Sequence, residues 1–176
     1  MVRRPQGAAA GASGGRTGVR VRVVWVGRPG VDPFHREVAA YLTRVARRWP
    51  AEDVPLRPAA GGRASDPDRA RAREGEAIRA RVPDRWLLVA LDERGWEPTS
   101  EELASWLGTL EGRSVPGVAF AVGSDLGLDP GVCEVAARRL SLGRLTLPHR
   151  LARLVLWEQL YRATAILGGG AYHRAG

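Results

Sequence analysis

Short apolar runs alternate with stretches of helical periodicity along the chain from about residue 19 onward. The runs are rich in Val, Leu and Ala, as in VRVVWV and LLVAL, and they have the length of buried strands. Between them, apolar residues recur every three or four positions, which indicates helices with one buried face. This order is typical of a parallel sheet with helices on both faces, and 176 residues suffice for one such α/β domain.

Turn residues and caps predict where the elements begin and end. The third helix is expected to start at Thr99 or Ser100, because either hydroxyl can cap a helix whose first turn is acidic. A fourth helix is predicted over GVCEVAARRL (131–140) and the last strand over GRLTL (143–147). Pro148 then opens the last helix, since proline loses no hydrogen bond at a first helical position.

The last helix carries two apolar faces. One face is formed by Leu156, Leu160, Ala163 and Leu167. The opposite face combines aliphatic residues with an acid and a base four positions apart: Leu151, Leu154, Val155, Glu158 and Arg162. A helix that is apolar on two sides is covered on both, so we expect the first face to pack on the sheet and the second to form a homodimer interface.

The chain is strongly basic. Its formal net charge is +8, and all 27 cationic side chains are arginines because the sequence contains no lysine. Arginine matches phosphate groups and stacks on bases, so polyanions are the partners that this charge favours. Residues 1–18, rich in Gly, Ala and Arg without periodicity, are expected to form a flexible extension before a domain spanning residues 19–176.

Other classes of site lack their sequence signature. Cys133 is the only cysteine, and His35, His149 and His173 are too widely spaced to indicate a metal site. The sequence has no lysine-bearing phosphate loop, and no Ser-His-Asp arrangement is marked by a G-x-S-x-G nucleophile elbow. No apolar run approaches the roughly 20 residues that span a bilayer, so we expect a cytoplasmic protein without a membrane partner.

The C-terminal third carries the most specific motifs. LSLGRLTLPHRLARLVLWEQLYRA (140–163) and the closing YHR (172–174) resemble the ribosomal large-subunit pseudouridine N3-methyltransferase family of the SPOUT superfamily. WVG, REGE, LLVALD and AVGSDLGL occur earlier, in the family's order and spacing. The resemblance therefore covers roughly residues 20 to 174.

This resemblance implies an α/β fold whose C-terminal segment forms a deep trefoil knot. It also implies a homodimer that binds S-adenosylmethionine in the knot and methylates N3 of a pseudouridine in the 23S rRNA of assembled ribosomes. The family's cofactor-binding positions correspond here to Leu91, Gly123, Leu142, Gly143, Arg144, Leu145, Thr146 and Leu147. These positions fall at predicted strand ends, where open parallel sheets bind ligands.

The chemistry of methylation at an imide nitrogen requires that a weakly acidic proton be removed. His149, His173 and Arg174 are the candidates for that role, although His149 could instead cap or pack at the helix start. Tyr172, His173 and Arg174 offer stacking and cationic groups suited to RNA, unless they form only a frayed tail.

One loop departs from the family pattern. Where Gly-Pro-Glu/Asp commonly follows the first glycine of AVGSDLGL, this chain has Ser124-Asp125-Leu126, so the pattern does not predict the conformation of this loop. The alternative to an enzyme is a basic ribosome-binding or RNA-binding module that keeps the fold without turnover. Binding of S-adenosylmethionine by the cofactor loops distinguishes the two. A small-molecule enzyme of the doubly wound class fits the charge less well.

Overall fold

The structure, a computed structural model, describes residues 18–59 and 66–169. Within these ranges the chain forms the strands β1 (Arg20–Val26), β2 (Ala51–Leu56), β3 (Leu87–Trp96), β4 (Gly117–Val122) and β5 (Arg138–Leu140). The helices are α1 (His35–Val45), α2 (Pro67–Arg79), α3 (Ser100–Gly112), α4 (Pro130–Val135) and α5 (His149–Leu167), and a single 3-10 turn (Pro29–Val31) precedes α1. The extension predicted over residues 1–18 lies almost wholly outside the described residues.

The five strands form one parallel sheet in the order β2-β1-β4-β3-β5. Helices α1, α3 and α5 pack on one face, around Val23, Phe120 and Leu160, while α2 and α4 cover the other face. All six residues of the central strand β4 are buried, as an apolar strand covered on both sides requires. The predicted α/β class with helices on both faces is confirmed, and the trefoil knot stays a prediction.

The start of α3 shows how local sequence sets an element boundary. Thr99, rather than Ser100, is the N-cap. Its hydroxyl accepts a hydrogen bond from the Glu102 backbone N–H at 3.1 Å, and the Glu102 carboxylate accepts one from the Thr99 N–H at 2.8 Å. This reciprocal capping box satisfies two N–H groups that the helix itself leaves without partners.

Two predicted elements near the C-terminal end are wrong. The fourth helix ends at Val135, and Arg138–Leu140 forms the edge strand β5 beside β3. Just before this strand, the Ala137 N–H donates a hydrogen bond to the Leu88 carbonyl at 2.9 Å. The strand expected over residues 143–147 is an irregular segment instead. Arginine and leucine are compatible with helix and strand alike, so the open edge of β3 decided which residues extend the sheet.

Helix α5 is anchored to the sheet by a buried ionic cluster. Arg153, 1% exposed, donates to Asp53 with Nε and Nη2 at 2.9 and 2.6 Å and to Asp32 with Nη1. The Asp53 carboxylate also accepts indole N–H bonds from Trp25 and Trp157, each at 2.9 Å. Leu156 and Leu160 on the same helix are fully buried, so the first predicted apolar face does pack on the sheet.

Candidate functional site

A cleft of about 890 Å³ opens at the carboxyl ends of β3 and β4. Its walls include three segments of chain: the second half of β3 from Leu91, the loop after β4 from Gly123, and the segment from Leu140 to His149 that leads into α5. The volume lies within the roughly 300–1,000 Å³ typical of small-molecule sites, and the location is the usual ligand position of an open parallel sheet.

The loop after β4 is tightly closed at Gly123. A Cβ built on this residue would lie 2.5 Å from the Gly127 carbonyl carbon, so only glycine fits where the loop returns on itself. The Gly127 N–H bonds the Ser124 carbonyl at 3.0 Å. The Ser124 hydroxyl accepts from the Leu126 N–H at 3.2 Å and donates to the Glu74 carboxylate at 2.7 Å.

Glu74, of the REGE motif on α2, is buried and connects two loops. Its second carboxylate oxygen accepts a hydrogen bond from the Ala59 N–H at 3.1 Å. Both carboxylate oxygens of this buried side chain therefore have donors, as a buried acid requires. The loop after β4 thus has a fixed attachment point on α2.

The segment before α5 turns sharply at Gly143, whose φ of 126° lies in the region that favours glycine. Ser141 holds this turn, because its hydroxyl donates to the Gly143 carbonyl at 3.0 Å and accepts from the Gly143 N–H at 3.2 Å. The Ser141 N–H bonds the Trp96 carbonyl at 2.7 Å, which ties the turn to the end of β3. A Cβ on Gly143 would meet no atom within 4 Å, so the backbone here borders open space.

The structure brings together seven of the eight sequence-predicted cofactor positions. The cleft is lined by Leu91, Gly123, Leu142, Gly143, Leu145, Thr146 and Leu147. Arg144 is exposed and is not among the lining residues. Leu145 is 80% exposed, so its apolar side chain is available to a ligand.

His149 stands at the first position of α5, and Pro148 is the N-cap rather than the first helical residue. The imidazole lines the cleft and its Nδ1 lies 2.8 Å from the Asp125 carboxylate. Its side chain is 11% exposed, whereas that of Asp125 is 88% exposed. The other two catalytic candidates, His173 and Arg174, and the RNA-contact candidate Tyr172 lie outside the described residues.

Acidic side chains also line the cleft. Asp92 and Glu93 at the end of β3 line the cleft together with the Cys133 thiol. Burial raises the pKa of Cys133, and the nearby Asp92 carboxylate raises it further, while Arg139 opposes the shift. The thiol is therefore mostly protonated at neutral pH, and it is a poor nucleophile there.

The second face of α5 remains partly accessible. Leu151, Leu154 and Val155 are half-buried, and Leu154 packs in part against the core of the same chain. Glu158 and Arg162 form the predicted pair, with Arg162 Nη2 3.0 Å from the Glu158 carboxylate. The geometry of the pair matches the prediction, and its role in an interface stays a prediction.

Sequence reasoning missed four polar residues that shape the cleft: Glu74, Ser124, Asp125 and Ser141. The available signal was the departure from the family pattern at Ser124-Asp125-Leu126, which flagged the loop without revealing its contacts. Among the described residues, no group of three His, Cys, Asp or Glu side chains could hold a metal ion. Nor is any helix in that part of the chain long and apolar enough to cross a membrane.

An α/β protein with a cleft at the carboxyl ends of its parallel strands belongs to the class that binds a small ligand there. Residues 19–173 match the family described as "Predicted SPOUT methyltransferase", and the chain belongs to this family.

Curated relatives carry the name "Ribosomal RNA large subunit methyltransferase H". The protein of Solidesulfovibrio magneticus is 42% identical over 153 residues, which are 87% of this chain and 97% of the relative. That of Geobacter metallireducens is 36% identical over 157 residues, 89% of this chain and 100% of the relative. The crystal structure of a probable methyltransferase from Bordetella pertussis Tohama I is similar in fold, with a TM-score of 0.50, 16% identity, and coverage of 84% of this chain and 98% of that one.

Proposed function

We propose that this protein is an S-adenosylmethionine-dependent methyltransferase that methylates N3 of a pseudouridine in 23S rRNA of assembled ribosomes. The observation that carries the proposal is the convergence of three distant segments on one cleft: Leu91, Gly123 and residues 142–147. These are the segments that the family resemblance assigns to the cofactor. Membership of the methyltransferase family and the printed names of the relatives support the same activity.

The residues of the cleft suit S-adenosylmethionine. Leu142, Leu145 and Leu147 offer apolar surface for a base, and the open backbone at Gly143 allows main-chain hydrogen bonds to it. The carboxylates of Asp92 and Glu93 suit ribose hydroxyls and cationic groups. When bound, the cofactor supplies an electrophilic methyl group on sulfur. The protein's own contribution is then to hold the two reactants in line and to accept a proton.

The basic charge supports RNA as the acceptor. A net charge of +8 carried by arginines favours contacts with phosphate and bases. In this proposal Tyr172, His173 and Arg174 contact the RNA, and His149, His173 or Arg174 assists deprotonation. The substrate places the protein in the cytoplasm, with the ribosome as its partner.

Homodimerisation completes this proposal, with the α5 face of Leu151, Leu154, Val155, Glu158 and Arg162 as the interface. Replacing Leu151 with Glu is expected to convert dimers to monomers in sedimentation velocity, because the charge would be buried without a partner. Val135→Glu is the matched control, since Val135 is already 62% exposed on α4. A Leu151→Glu protein that stays dimeric would remove this face from the proposal.

The decisive experiment measures methyl incorporation from labelled S-adenosylmethionine into intact ribosomes and into free rRNA, with mass-spectrometric mapping of the product. We expect a single methylated pseudouridine, formed in ribosomes. Calorimetry supplies the second arm, because absence of S-adenosylmethionine binding at millimolar concentration contradicts an enzyme. Salt-sensitive ribosome binding without methylation would instead support the non-catalytic binding module.

A further inference from the structure

The contact between Asp125 and His149 joins the loop after β4 to the first residue of α5, and both residues line the cleft. We propose that Asp125 is a positioning residue that keeps the His149 proton on Nδ1, so that Nε2 accepts the N3 proton of the target pseudouridine. The inference rests on the proposed function and names the proton acceptor within it. It assigns a role to a residue at which the chain departs from its family's usual pattern.

The hydrogen bond selects one tautomer of the imidazole. Asp125 Oδ1 lies 2.8 Å from His149 Nδ1, and an ionised carboxylate can only accept a hydrogen bond. Nδ1 therefore carries the hydrogen in the neutral ring, and Nε2 keeps its lone pair. The side chain of His149 is 11% exposed and lines the cleft, so a basic nitrogen is available beside the proposed S-adenosylmethionine site.

Asp125 can do this because its loop is anchored on both sides. The Ser124 hydroxyl bonds the buried Glu74 carboxylate at 2.7 Å, and the Leu126 N–H bonds the same hydroxyl at 3.2 Å. Gly123 closes against Gly127 at the base of the loop. An exposed carboxylate on an anchored loop loses little further freedom when it pairs with His149, which strengthens its hold on the ring.

The proposed step moves one proton and one methyl group. The N3 proton passes to His149 Nε2, N3 forms a bond to the methyl carbon, and the carbon–sulfur bond breaks with its electron pair remaining on sulfur. The imidazole becomes an imidazolium, whose charge the Asp125 carboxylate opposes at Nδ1–H. A glycine or proline in the loop has no carboxylate and could not orient the ring in this way.

The test compares Asp125→Ala and Asp125→Glu with Asp84→Asn. Asp84 is exposed in the turn before β3, at the end of the sheet away from the cleft, so its substitution removes a charge without touching His149. We expect Asp125→Ala to lower kcat for ribosome methylation roughly tenfold, below the full effect of a general base, with KM and donor affinity unchanged. Asp125→Glu should recover part of kcat, and Asp84→Asn should match the unaltered protein.

A second readout is independent of activity. Imidazole 15N chemical shifts report which ring nitrogen carries hydrogen, and a His149→Gln variant assigns the signals among three histidines. We expect the Nδ1–H form in the unaltered protein and a shift toward Nε2–H in Asp125→Ala. An unchanged tautomer in Asp125→Ala would overturn the positioning role. The same conclusion would follow if this variant lost S-adenosylmethionine affinity or folding together with kcat, because Asp125 would then only hold the loop after β4 in place.

The outcomes separate this inference from the proposed function. If the unaltered protein transfers no methyl group, the proposed function fails and the inference fails with it. If the unaltered protein is active and Asp125→Ala is equally active, the function stands and only the inference is lost.

Discussion

Two side chains one turn apart on α5, His149 and Arg153, contact aspartate carboxylates, and the two contacts are built in opposite ways. The side chain of Arg153 is 1% exposed and bonds two aspartates, of which Asp32 is fully buried. The His149 contact has one hydrogen bond, to an aspartate that is 88% exposed. The buried contact resists any change of partner, because an unpaired charge in the interior is costly. The exposed contact can break and re-form at little cost to stability, which suits a chemical role.

The buried contact gives the largest expected effect. Replacing Arg153 with Met should lower the free energy of unfolding by about 3–5 kcal/mol, because it leaves the Asp32 and Asp53 carboxylates without their cation. Arg79→Met is the matched control, since the Arg79–Asp129 pair is partly exposed and worth at most about 1 kcal/mol. Denaturant unfolding measures both. Equal losses in the two variants would show that burial does not distinguish these contacts.

The exposed contact should show the reverse pattern. His149→Gln is expected to reduce methyl transfer about a hundredfold, the scale of a general base, while the free energy of unfolding stays within about 1 kcal/mol. Single-turnover transfer and denaturant unfolding are measured on the same preparation. A variant with full activity would assign His149 to packing at the helix start.

The turn at Gly143, between β5 and the start of α5, gives a smaller expected effect on stability. Gly143→Ala places a Cβ on a residue with φ of 126°, which should cost about 1–3 kcal/mol of stability or distort the turn. Calorimetry should then show donor binding weaker by about a factor of ten. Gly112→Ala at the end of α3 has open space and no positive φ, and it should leave both quantities unchanged.

The smallest effect concerns Cys133, a probe of the cleft that requires no substitution. Because burial and Asp92 raise the pKa of this thiol, alkylation by iodoacetamide at pH 8 should be slower than that of an unstructured cysteine peptide. The rate should continue to rise with pH beyond the point where the peptide reaches its plateau. Bound S-adenosylmethionine should slow it further. Alkylation faster than the peptide at pH 8 would contradict the sign of the shift.

Elements with one dominant physical requirement could be predicted from sequence. Strand β4, GVAFAV, has no polar side chain and is buried throughout, so only a central strand satisfies it. Thr99 and Glu102 define the start of α3 within four residues, because each side chain caps the backbone of the other. The predictions for residues 131–147 were wrong because the periodicity of this segment suits more than one structure. The open edge of β3 and the turn at Gly143 decide the conformation of this segment, through contacts with residues distant in sequence.

The residues of the cleft also fall into those that sequence predicts and those that it does not. The positions of Leu91, Gly123 and residues 142–147 followed from family motifs and strand ends, and all but Arg144 line the cleft. The polar side chains that hold these segments in place could not be predicted from the sequence. Glu74 lies 50 positions from Ser124, and Asp125 lies 24 from His149, and nothing in local sequence indicates that these side chains meet.

The sequence by itself determined the α/β class, the parallel sheet with two covered faces, the apolar core face of α5 and the segments that surround the cleft. The class, the sheet and the core face of α5 depend on local periodicity and capping, and the segments around the cleft carry the family's motifs; short stretches of chain contain both kinds of signal. The tertiary structure alone decided that residues 138–140 extend the sheet, that Arg153 is buried between two aspartates, and that Asp125 faces His149. Such pairings depend on which distant segments packing brings within a few ångströms, and a linear pattern does not contain that distance.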